Sequence, residues 1–150
     1  VNQDWRRRVV TALVELAGSD DYRDRADAGR ALANFAEATE SQEPLLRLVL
    51  DANDTFVTLA TTEALLRRHD TSGLAIVAEA LASADFQHGT YIADAVTAVF
   101  MVFASERDRA VEACDALFSV GVSATVRRGA VQLREMLERI RPVLYPEQPA

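Results

Sequence analysis

The chain has 150 residues, about half of them apolar, a net charge of −7 and a single cysteine. That length and composition suit one folded domain with a buried core rather than a disordered chain. All sixteen basic residues are arginine, and residues 51–100 hold two of them against seven acids, a local balance of −5 that repels phosphate backbones and argues against a nucleic-acid partner. Cys114, alone and beside Glu112 and Asp115, reads as a small buried residue rather than a disulfide partner or an activated thiol.

In chain order the sequence predicts eight helices and no strand. Asn2–Ala17 carries Val9, Val10, Leu13, Val14 and Leu16 at helical spacing, and Gly18-Ser19-Asp20-Asp21 ends it with an acid placed to cap the next helix. Tyr22–Ala38 turns Ala28, Ala31, Leu32 and Phe35 inward. Thr39–Glu43 reads as a link, with Pro44 in the first turn of a short helix through Leu50, and Asp51–Asp54 leads into Phe56–Arg68. Leu74–Ala82, Gln87–Ala104, Glu106–Phe118 and Ala124–Arg141 follow, and a proline-containing tail occupies 142–150. No apolar run is long enough to span a membrane. The opening Val-Asn-Gln-Asp-Trp-Arg-Arg-Arg lacks the apolar stretch and cleavage site of a signal peptide, so a cytoplasmic location is expected.

A longer period overlies these helices. Asp24, Val57, Tyr91 and Val126 are spaced by 33, 34 and 35 residues; four positions later stand Ala28, Thr61, Ala95 and Ala130, all small. Eight positions later stand Leu32, Leu65, Val99 and, breaking the pattern, Arg134. Self-similarity at this period marks a solenoid of stacked helix pairs, here at about 2–39, 42–69, 71–104 and 106–141. With acids in the turns (Asp21, Asp54, Asp85) and Val126-Arg127-Arg128-Gly129-Ala130 in the last copy, the chain resembles short bacterial HEAT-like repeat proteins over nearly its whole length. The resemblance implies an all-α, right-handed α-solenoid of the HEAT/armadillo kind, with four helical hairpins. It also implies second helices lining a concave face and, in most such proteins, binding rather than catalysis.

Candidate chemistry is sparse. His69 and His88 lie in different units without a ligand-spaced partner, and there is no phosphate-binding glycine loop, so neither metal nor cofactor is expected. The acids Asp20, Asp21, Asp24 and Asp27 interleave with Arg23, Arg25 and Arg30 and read as salt pairing along a helix start. Asp94, in the apolar third unit, is expected to be buried and paired, or alternatively to address a ligand in the groove.

A helical wheel with the buried stripe at offsets 0, 4, 8 and 11 places Arg30; Leu59, Glu63 and Leu66; Thr97 and Phe100; and Arg128 on the opposite face. These seven are the candidate partner-binding residues: an apolar centre of Leu59, Leu66 and Phe100 with a charged rim, suited to a protein or peptide, the alternative being that neighbouring helices cover them within a compact stack. Phe100, Met101 and Phe103 make the third unit the most apolar, and any left uncovered there favour a homo-oligomer. The expected function is a non-enzymatic adaptor. Its alternatives are an inhibitor or immunity-type protein presenting an acidic surface, and, by the resemblance alone, a bilin lyase or an alkylated-base DNA glycosylase.

Overall fold

A computed structural model describes residues 2–119 and 121–146; the last part of the expected tail, including Pro149, lies outside them. Among the described residues the protein is all-α, with eight α-helices: α1 (Asn2–Ala17), α2 (Tyr22–Leu32), α3 (Thr39–Val49), α4 (Thr55–Leu66), α5 (Thr71–Ser83), α6 (Phe86–Phe100), α7 (Ala104–Ala116) and α8 (Ala124–Arg139). A single 3₁₀ turn, Ala33–Phe35, extends α2.

The helix starts follow from their capping side chains. Asp21, Asp54, Asp70 and Asp85 accept hydrogen bonds from the amides of Arg23, Phe56, Gly73 and His88, and Ser123 does the same for Val126. Each such cap satisfies an amide that the first turn leaves without a helical partner. Several boundaries differ from the sequence reading: α2 gives way at Ala33 to the 3₁₀ turn rather than running to Ala38, and α5 starts at Thr71 rather than Leu74. The stretch read as a link, Thr39–Glu43, is already helical, which places Pro44 in the second turn of α3. Helix α6 stops at Phe100 rather than near Ala104, because Met101 and Val102 give their carbonyls to the amides of Val143 and Leu144. Val143 and Leu144 are thereby tied back onto the helical body, where the sequence suggested only an end to order.

The core keeps the long period but in a corrected register. Leu32, Leu65, Val99 and Leu133 are all buried, at spacings of 33, 34 and 34 residues, and so are the small residues Ala28, Thr61, Ala95 and Gly129 four positions before each. The fourth copy is therefore displaced by one from the alignment on Val126 and Ala130. Arg134 is not a broken core position but a half-exposed residue paired with Asp115 and Glu138. The first helices repeat as well: Val10, Pro44, Val77 and Ala110 are buried in turn, as are Leu48, Leu81 and Cys114.

Successive second helices α2, α4 and α6 pack side by side. The close approach of α2 to α4 depends on Gly29, since a Cβ there would run into the Thr61 side chain. The last two helix pairs depart from this succession. Helix α8 packs most extensively on α5, while α5 and α6 barely touch. Gly129 makes that possible: its Cα faces the Ala78 carbonyl so closely that no side chain fits between them.

Candidate functional site

The wide buried arc of the second helices decides which side chains remain available to a partner. Helix α4 is flanked by α2 on one side and α6 on the other, with α3 and α5 beneath. Counting each second helix from Asp24, Val57, Tyr91 and Thr125, the buried positions are mainly offsets 1, 4, 5, 8 and 9, and the outward positions are mainly 3, 6 and 10, with Ala60 at offset 3 a buried exception.

This overturns the apolar centre expected from the wheel. Leu66 and Phe100 sit at offset 9 and are wholly buried, and Leu59 is half-buried against the core. Phe100 instead receives the edge of the His69 ring at 5.9 Å, beyond the end of α4, where His69 turns the chain with a φ of 55°. The wheel assumed one buried side per helix, whereas neighbouring helices on both flanks cover more than half of each circumference. The expected rim stays at the surface: Arg30, Thr97 and Arg128 are exposed and Glu63 is half-buried. Asp94 is also exposed, at offset 3, so the expectation of a buried acid seeking a partner is corrected too.

What the surface offers in place of Leu66 and Phe100 lies at the starts of the second helices. Tyr22 opens α2 and Phe56 lies in the first turn of α4; their partly exposed rings meet edge to face at 5.9 Å. Arg30 lays its guanidinium over the Phe56 ring at 5.4 Å, and Arg23 lies over Tyr22 at 5.5 Å. Asp27, 3.3 Å from Arg30, and Asp54 complete an open depression lined by these six residues. Phe86, first in α6, repeats the aromatic at a helix start and is 93% exposed. Only Arg30 belonged to the expected set. The signal for the others was present, since Tyr22, Phe56 and Phe86 each follow a capping aspartate by one or two residues.

A polar strut beneath this edge holds the first three units in register. Arg25 is buried and grips the Asp51 carboxylate with two nitrogens, at 2.8 and 3.2 Å, while also donating to the carbonyls of Ser19 and Asp20 at 3.0 Å each. The salt pairing expected along the start of α2 is thus realised for Arg30, whereas Arg25 reaches into the next unit. Burial opposes ionisation of Asp51, but hydrogen bonds from Arg25 and from the amides of Asp54 and Asn53 outweigh it and hold the carboxyl below its ordinary range. His88, in the first turn of α6, contacts the Asp51 carbonyl through Nε2 at 2.7 Å and Asp85 through Nδ1 at 2.8 Å. Both partners are acceptors, so only the imidazolium satisfies both. The Asp51 carbonyl, against the opposing effect of burial and with help from Asp85, raises the His88 pKa. Further along, Arg68 joins the Ala33 carbonyl, Glu37 and Asp70, and Glu37 continues to Arg6 on α1.

Among the described residues, no group of three or more His, Cys, Asp and Glu side chains is placed to hold a metal ion, and no helix is long and apolar enough to cross a membrane. Cys114 is buried, and burial together with Asp115 pushes its thiol up to about 11.

No family model matches the chain, and no curated protein does. A solved structure of an engineered protein is similar at 22% sequence identity and a TM-score of 0.38, over 86% of this chain and 62% of the engineered one. This chain thus spans less than two thirds of that protein, and at so low a structural score nothing about fold or function follows from it.

Proposed function

We propose that the protein is a non-enzymatic protein-binding module, a right-handed HEAT-like solenoid that receives a protein or peptide partner across the exposed edge of its second helices. The observation that carries this reading is the Tyr22–Phe56 ring pair with Arg23 and Arg30 stacked on it. Aromatic and arginine side chains dominate the energetics of protein interfaces: the rings bury large areas with few rotors to freeze, and the planar guanidinium stacks and donates several hydrogen bonds at once. Here two rings are already packed against each other and against cations, so little order remains to be imposed on binding. Arg30, Glu63, Thr97 and Arg128 lie along the outward positions of successive second helices and extend the surface as a polar margin. The rings anchor, and the charges select. In the solenoid reading this edge belongs to the concave face.

The test is affinity capture from the native cell, with wild type compared against a Phe56→Ser variant. Phe56 is exposed, so the substitution leaves the helices intact. Partner proteins held by wild type and lost by the variant support the reading; identical captured sets from both overturn it. Salt-sensitive binding of duplex DNA would overturn it in favour of a nucleic-acid enzyme.

A further inference from the structure

The segment after α8 does not trail away. Val143 donates its amide to the Met101 carbonyl at 2.9 Å, Leu144 to Val102 at 2.8 Å, and Ala104 returns one to the Leu144 carbonyl at 2.8 Å. A parallel bridge joins Phe103 to Leu144. This pairing gathers Met101, Val102, Phe103, Val143, Leu144 and Tyr145 onto one small platform, and all six are between 40 and 71% exposed. The backbone hydrogen bonds fix the platform, so its side chains are held out in water rather than folded inward.

We propose that this platform is the interface of a homodimer, with a second copy of the chain seated on it through the same patch. The reasoning is one of area. At about 200 Å² per large residue these exposures leave roughly 600 Å² of surface over the six residues, most of it apolar and at the upper end of what a monomer leaves open. Pairing two such patches about a two-fold axis removes roughly 1,200 Å², which reaches the lower bound for a specific stable interface. The flanks carry both signs within three residues of the patch, Glu106 after Phe103 and Arg141 before Val143. A self-complementary margin is what a two-fold contact requires.

Sedimentation velocity over a protein concentration series tests this. The wild type is expected to pass from one-chain to two-chain mass in the micromolar range, about 1–100 μM. Val143→Glu and Tyr145→Ser, both at side chains largely in solvent, each weaken association by about tenfold or more. Phe86→Ser, at the most exposed aromatic of the chain, leaves it unchanged. Far-ultraviolet circular dichroism confirms that each variant is folded, and either patch variant suffices should the other not fold. A one-chain mass at every concentration overturns the proposal. So does association that both patch variants leave intact or that Phe86→Ser abolishes.

Discussion

Replacing glycine by alanine at two helical positions, 129 and 89, should move stability in opposite directions. In an open helix the exchange stabilises by roughly 0.5–1 kcal/mol, because alanine has less backbone freedom to lose. Gly89 in α6 is such a place, with nothing within 4 Å of a Cβ added there. At Gly129 the same methyl would overlap the Ala78 carbonyl, which belongs to the backbone of α5 and cannot swing aside. Helix α8 has to slide outward along its most extensive contact, loosening Leu133 and Leu137, which are fully buried. Overpacking of this kind costs about 1–3 kcal/mol, more than the propensity gain, so the net effect is a loss of roughly 1–2 kcal/mol. For a domain of this size that corresponds to a midpoint lower by about 2–8 °C, against a rise of about 1–4 °C for Gly89→Ala. Urea and thermal unfolding followed by circular dichroism measure both. A neutral or stabilising Gly129→Ala would refute the close seating of α8 on α5.

Four further outcomes follow from the packing and its buried polar groups. Arg25→Ala leaves the buried Asp51 carboxylate with only the Asn53 and Asp54 amides as donors and costs up to about 3–5 kcal/mol, while the double change Arg25→Met with Asp51→Leu costs far less; urea midpoints separate the two. Because Asp51 is held below its unfolded value of 3.8, its contribution is present above that pH and is lost as pH falls through the lower folded pKa, which acid unfolding of wild type against Asp51→Asn reads. The raised pKa of His88 works the other way: its contribution is complete below 6.5 and fades as pH rises through the folded pKa. Wild type should therefore lose stability over that window while His88→Gln stays flat, with the imidazole titration followed by NMR. Cys114, buried and with its thiol near 11, should react with a thiol-specific reagent at neutral pH only as fast as the chain opens, and a rapid reaction with the native protein would contradict its placement.

The helices and the long period were legible because they rest on local chemistry. A short acid before an apolar helix is a cap wherever it occurs, and Leu32, Leu65 and Val99 repeat at a spacing that no single helix explains. The register of the last copy was not legible from its small residue. Gly129 and Ala130 are both small, so either could be aligned with Ala95; only the burial of Leu133 rather than Arg134 decides between them. Leu66 and Phe100 were misplaced for a different reason. Helix α4 is apolar nearly all round, and a wheel cannot tell a face that meets a partner from a face that meets the next helix. The Arg25–Asp51 pair spans two units, so local spacing could not reveal it. A faint sign existed, since Arg25 occupies the position that is buried as Thr58 and Ile92 in the next two copies.

Hydrogen exchange of the protein with and without a captured partner tests the central claim most directly. If the Tyr22–Phe56 edge is the recognition surface, amides in the first turns of α2 and α4, about residues 22–30 and 55–63, should slow on binding, and Phe56→Ser should abolish the effect. Protection confined to other elements, with these two turns exchanging as in the free protein, would contradict it.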